Sequence, residues 1–172
     1  MSFTEAINFF LAACPGPSMA QAGLHVAALQ AVKGIPGLDP KGSVTPERGE
    51  SDAGSYLWSA RQIGDRLNSS AEYLTRTAGK HGYSFARALR WIRFLHGMAL
   101  LAEGCRVETV AYRLAFSDIA GWSRFTKRLV GRSPRQLPKV PLEIWIRKAV
   151  DDVFFGVPAS REPRDGGTKV RK

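Results

Sequence analysis

The fold of this chain is decided by Val107-Glu-Thr-Val-Ala-Tyr-Arg-Leu-Ala-Phe-Ser-Asp-Ile-Ala-Gly-Trp-Ser-Arg-Phe-Thr-Lys-Arg-Leu-Val-Gly-Arg-Ser-Pro134. Val107, Val110, Ala111 and Leu114 recur at the spacing of one apolar helix face. Ala115-Phe116-Ser117 breaks that pattern as a turn, with Phe116 placed to plug the space between two helices. Ser117 or Asp118 can then cap a second helix, and an acid there complements the positive end of the helix dipole. That helix turns Trp122 inward and carries Arg124, Lys127 and Arg128. Val130 and Gly131 end it, and Ser133-Pro134 reads as a cap followed by proline at the first helical position. Two short helices about a tight turn, the second one basic, have the shape of a helix-turn-helix that lays a helix in a DNA groove.

A second such unit lies about 47 residues upstream. Residues 61–67 suit a scaffold helix, Asn68-Ser69-Ser70 a turn with Ser70 as N-cap, and residues 71–79 a first recognition helix. Between the units, Ser84 can cap a long amphipathic helix that runs to about Glu103 and is closed by Gly104. Leu89, Ile92, Leu95, Leu100 and Leu101 mark its apolar face, so it reads as a rigid spacer. Trp91 and Phe94 fall on this already apolar helix, which favours packing over base stacking, and His96 reads as an imidazole without a chemical role.

Charge coincides with the motif. The chain of 172 residues has a formal net charge of +10. Residues 56–138 alone hold 14 Lys/Arg against 5 Asp/Glu, whereas residues 1–55 hold 3 against 5. Charge alone fits a polyanionic partner and a merely solvated surface about equally, and it is its coincidence with the motif that points to the partner. Cys14 and Cys105 lack metal-ligand spacing with each other or with His25, His81 and His96, so no zinc site and no disulfide framework is expected. No nucleophile or phosphate-loop constellation occurs either, so we expect no enzyme activity and no cofactor. Leu11-Ala12-Ala13-Cys14 has the form of a lipoprotein processing site, but the apolar stretch before it is short and no Lys or Arg precedes it. No run of about 20 apolar residues suggests a membrane span.

Residues 58–138 resemble the DNA-binding region of the AraC/XylS family of bacterial transcription regulators. The family's closing signature is met by Phe116, Asp118, Arg124, Lys127, Gly131, Ser133 and Pro134 without a gap. Val110-Ala111, Arg93, Leu100-Leu101, Ser70, Leu74 and Arg76 match earlier positions. The resemblance implies an all-α, homeodomain-like domain: two helix-turn-helix subdomains joined by a long spacer helix. It departs from the pattern at Ala115, where the turn glycine is usual, and at Ala120 and Thr126, with Phe125 able to replace the missing aromatic by a small rotation. Ala78-Gly79 stand where an aromatic-basic pair is usual, and a helical glycine costs about 0.5–1 kcal/mol relative to alanine, so a short or frayed first recognition helix is expected.

Successive major grooves on one face of B-DNA lie about 34 Å apart, so two units on a rigid spacer can read both as one polypeptide, without a homodimer. The expected DNA-contacting residues of the first unit are Ser70, Ala71, Glu72, Thr75 and Arg76. In the second they are Ser117, Ile119, Ala120, Gly121, Arg124, Lys127 and Arg128. Arg76 can read guanine, while Ile119 and Ala120 offer only apolar contact to thymine methyls, so the second unit should discriminate weakly. Lys127, Arg128 and Arg132 suit phosphates. Arg124 is assigned to DNA over an ion pair with Asp118, whose spacing of six is poor for a helix pair.

The flanks complete the organisation. Residues 1–55 read as a flexible extension: a short helix from Thr4 to Ala13, an Ala-rich helix over 19–32, then a Gly/Pro/Ser linker over 33–55. So short a segment is not expected to form a barrel for a small-molecule effector. We divide the rest into a first helix-turn-helix (56–84), a spacer (85–103), a second helix-turn-helix (104–138) and a tail (139–172). That tail holds an amphipathic helix over 141–154 and a disordered basic end. The helix is expected to pack on the core, or else to meet RNA polymerase or a second copy. The reading is a cytoplasmic, nucleoid-associated protein that binds double-stranded DNA. Its rival is a degenerate helix-turn-helix acting as a protein-protein interaction module through Trp145 and Ile146.

Overall fold

Every regular element in the structure, a computed structural model describing residues 3–14, 20, 23–25, 27 and 59–156, is helical. We label them α1 (Phe3–Ala13), α2 (Ala60–Arg66), α3 (Ala71–Lys80), α4 (Phe85–Ala102), α5 (Val107–Arg113), α6 (Ile119–Val130) and α7 (Leu142–Phe155). A 3-10 turn over Pro134–Lys139 links the last two. Caps set the boundaries. Ser59 and Gln62 form a capping box at α2, and the Ser70 hydroxyl accepts from Tyr73 N–H at 3.0 Å at α3. At α6 the Asp118 carboxylate accepts from Gly121 N–H. Gly131 (φ 73°) and Gly156 (φ 67°) stop α6 and α7 in the left-handed region that glycine enters at little cost.

The spacer helix α4 is the axis of the molecule. From Phe94 to Leu100 every residue is buried, as are Phe85, Ala88, Leu89, Trp91 and Ile92. A helix buried on this many sides must be covered all round. The first unit packs at its N-terminal part, the second unit farther along, and α1 and α7 lie beside it. Phe94 is the hinge point of this packing. Its ring meets Trp91 edge-on at 5.4 Å, Trp145 of α7 edge-on at 5.3 Å, and Trp122 of α6 at 6.4 Å. Trp91 Nε1–H donates to Asp152 Oδ2 at 2.8 Å, and Arg87 donates to the Asp152 carbonyl at 3.1 Å, which latches α7 to the spacer.

Three expectations change. The N-terminal segment is not all flexible extension, because its Ile7, Phe10, Leu11 and Cys14 are buried with the core. Their apolar side chains would otherwise face water, and α4 with α7 offers the apolar surface that removes them from it. Residues 20, 23–25 and 27 are helical, with Ala20, Leu24 and Ala27 buried. At Gly23 an added Cβ would lie 2.8 Å from Ile63 Cγ2 and 3.1 Å from Phe85 Cζ, so this backbone lies directly on the first unit. The first recognition helix is not frayed: it runs unbroken to Lys80, because Leu74 and Ala78 anchor it and Gly79 lies on its exposed side. Ser84 precedes α4 without a side-chain capping bond. The remaining residues of the expected 19–32 helix, the 33–55 linker and the basic tail beyond 156 lie outside the described residues.

Candidate nucleic-acid interface

The two units repeat atom for atom through their turns. In the first, Leu67 N–H donates to Ile63 O (3.0 Å) and Ser69 N–H to Gly64 O (2.8 Å). In the second, Leu114 N–H donates to Val110 O (3.0 Å) and Phe116 N–H to Ala111 O (2.9 Å), each partner displaced by 47 positions. Asn68 (φ 50°) and Ala115 (φ 57°) hold the same left-handed turn position. Beyond the turn the offset becomes 48, because Ser70 caps α3 while Asp118, and not Ser117, caps α6. Under that offset Leu74 matches Trp122 and Ala78 matches Thr126, and all four are fully buried. The inward faces of α3 and α6 therefore coincide, which fixes the equivalence of their outward faces.

Arg93 of α4 locks the second turn. Its Nε and Nη2 donate to Leu114 O at 2.9 and 2.5 Å, Nη2 also reaches Ala115 O at 3.1 Å, and its guanidinium lies 3.7 Å above the Phe116 ring. Burial lowers its pKa to about 10, which still leaves it charged at neutral pH. Phe116 contacts Trp122 at 5.6 Å and Phe125 at 5.3 Å, filling the space between α5 and α6. Phe125 thus joins the aromatic cluster, while Thr126 enters the core with its hydroxyl bonded to Ser123 O at 3.1 Å.

The sequence-derived positions fall into place unevenly. On α3, Glu72, Thr75 and Arg76 are exposed on one outward face, Ser70 is exposed as its cap and Ala71 is half-buried. On α6, Ile119, Ala120, Arg124, Lys127 and Arg128 are exposed. Arg76 and Arg124 occupy equivalent positions, as do Glu72 and Ala120. Gly121 is half-buried beside the turn: an added Cβ would meet Asp118 Oδ1 at 3.2 Å and Phe116 Cδ1 at 3.5 Å. The structural counterpart of Thr75 is Ser123, and that of Gly121 is Tyr73. Ser117 is exposed in the turn.

Asp118 and Arg124 come together despite a spacing that is poor for a helix pair. Arg124 Nη2 lies 4.0 Å from Asp118 Oδ1, because Asp118 is an extended cap and helix spacing does not govern it. Both side chains are more than half exposed, so the pair holds Arg124 only weakly. Two contributors were missed in the sequence. Tyr73 is exposed with the Arg76 guanidinium 5.7 Å from its ring, a relation legible as an aromatic three residues before an arginine on an outward face. Gly97 was missed as well. A Cβ there would come 2.7 Å from Trp122 Cη2 and 2.9 Å from Leu114 Cδ1, so only glycine lets α6 and α5 seat on the spacer.

Two capped, basic recognition helices held on one rigid spacer define a helix-turn-helix DNA-binding domain of the kind found in transcription regulators. Residues 63–139 match the family model described as a helix-turn-helix domain. The match supports the resemblance of that stretch to the AraC/XylS type, which its closing signature suggested. No curated protein and no solved structure matches the chain. Among the described residues no helix is long and apolar enough to cross a membrane, and no group of three or more His, Cys, Asp or Glu is placed to hold a metal ion.

Proposed function

We propose that this chain is a sequence-selective transcription regulator of the AraC type that reads two successive major grooves of double-stranded DNA as a monomer in the cytoplasm. The observation that carries the reading is the pair of units with matching turns and inward faces on α4, each presenting an arginine, Arg76 or Arg124, at the equivalent outward position. Arg76 with Glu72 and Thr75 gives the first unit side chains able to hydrogen-bond base edges. Ile119 and Ala120 give the second unit methyl contacts only, so Arg124 supplies its polar readout and Lys127 and Arg128 hold backbone phosphates. The rival, a protein-interaction module acting through Trp145 and Ile146, loses its surface, because both side chains are buried in the core at 1% and 2% exposure.

The test is a selection of genomic fragments bound by the full chain, followed by salt-dependent affinities on the enriched site. The full chain is needed because α1 and α7 complete the core. A monomer with a footprint of about 20 base pairs is expected, two grooves wide. Arg76→Ala should relax one base position by about 1–3 kcal/mol, whereas Lys127→Ala should weaken all sequences alike. No preference over random DNA at physiological salt would end the regulator reading.

A further inference from the structure

Recognition helix α6 stands between two basic clefts. Its most outward residues are Ala120, Arg124 and Lys127. Turning about its axis in one direction leads through Arg128 to a cleft of about 380 Å³ against the spacer helix, where Arg90 faces Arg124 and Arg128 over a floor of Phe116 and Phe125. Turning the other way leads through Ser123 and Ile119 to a cleft of about 600 Å³ walled by Arg106 and Arg135, with Glu108 as its one acid and a net positive lining. Arg90 is exposed, and its Nε–H donates to Ala86 O at 3.3 Å, so the side chain is held against α4 near the cleft mouth. Asp118 is a neighbouring acid on this side, and its pairing with Arg124 is at the outer limit of an ion pair.

A helix lying in a major groove has a phosphate backbone on each side of it, and each backbone carries its charge at regular spacing. Two arginine-walled clefts on opposite flanks of one recognition helix match that arrangement in sign and in placement. We propose that Arg90 and Arg128, on the wall of the first cleft beside the base-reading Arg124, seat a backbone phosphate of one DNA strand, and that Arg106 and Arg135 seat the opposite strand across the same groove. The aromatic floor suits the apolar face of the deoxyribose beside that phosphate. The spacer helix thereby becomes a DNA-contacting element through Arg90, in addition to setting the distance between units. This assignment rests on the DNA-reading proposal and sharpens it to named strands.

The experiment is phosphate-ethylation interference with the full chain on its selected site, comparing wild type with Arg90→Ala and with Arg106→Ala/Arg135→Ala. Each phosphate contact adds about 0.9 to the salt slope, so a fourfold rise in salt should cost about 3.5-fold less affinity for every contact removed. Arg90→Ala should abolish interference at a phosphate on one strand, the double variant at phosphates on the other, and Arg90→Lys should recover most of the lost affinity. Base preferences should persist in all three. If Arg90→Ala keeps the wild-type slope and interference pattern while site selection survives, the cleft assignment fails and the regulator reading stands. The assignment fails equally if both variants act on one strand. It also fails if Arg90→Ala alters only the thermal shift caused by inorganic phosphate, which would mark a small-anion pocket. Loss of site preference by the wild-type chain itself would count against the regulator reading instead.

Discussion

Ala115 holds the second turn at φ 57°, where the first turn uses Asn68, a residue that enters the left-handed region more readily. For alanine that conformation costs about 1–2 kcal/mol, and it persists because Arg93 grips the carbonyls of Leu114 and Ala115. Replacing it with glycine removes the strain but frees the unfolded chain by about 0.4–1 kcal/mol. The first effect is larger, so Ala115→Gly should raise unfolding stability by roughly 0.5–1 kcal/mol in urea titrations, with site preference unchanged. A destabilised variant would show that the methyl group contributes packing that outweighs the strain.

At the scale of elements, glycines in two helices should respond in opposite senses. Gly79 in α3 has open space where a Cβ would stand, so Gly79→Ala should stabilise by about 0.5–1 kcal/mol. Gly97 in α4 has none, and Gly97→Ala forces Trp122 and Leu114 apart at a cost of about 1–3 kcal/mol. Thermal unfolding of the pair tests both, and a neutral Gly97→Ala would refute the close approach. His96 adds a pH term to the same helix. Burial first, and the nearby Arg113 charge second, lower its pKa from 6.5 to about 4. The folded protein therefore holds a neutral imidazole where the unfolded chain takes up a proton. Stability from this group is complete above about pH 6.5 and falls by up to about 3 kcal/mol as pH drops toward 4. Urea midpoints across that window should follow this decline in the wild type and lose this component in His96→Leu.

For the whole molecule, α1 is the unexpected part of the core, and α7 packs on it as its apolar stripe leads one to expect. Trp145 is 1% exposed and packs edge-on against Phe94, the same ring that meets Trp122 of α6. Trp145→Ala should cost about 3–5 kcal/mol of stability. Because the residues proposed to contact bases lie on α3 and α6, the folded fraction should keep the site preference of the wild type, as fluorescence unfolding and binding measured on one preparation would show. A changed preference at full folding would mean that α7 sets the angle between the units.

The sequence by itself determined the elements that short-range physics controls. The caps at Ser70 and at Ser117 or Asp118, the stops at Gly104 and Gly131, the turn at Ala115 and the inward Trp122 are all local, and so the tandem units and the spacer were legible from spacing alone. Arg76, Arg124, Lys127 and Arg128 were legible as outward because helix periodicity fixes a face once its apolar stripe is known. Only the tertiary structure decided what covers the spacer helix, since Ile7, Phe10 and Trp145 are far from it in the chain and periodicity names no partner. It also decided that Asp118 and not Ser117 caps α6, that Asp118 reaches Arg124 from that cap, and that Arg90 shares a cleft with α6. Each of these depends on how separate helices meet, and that is set by side-chain volume and backbone approach, as at Gly97, which a one-dimensional pattern does not contain.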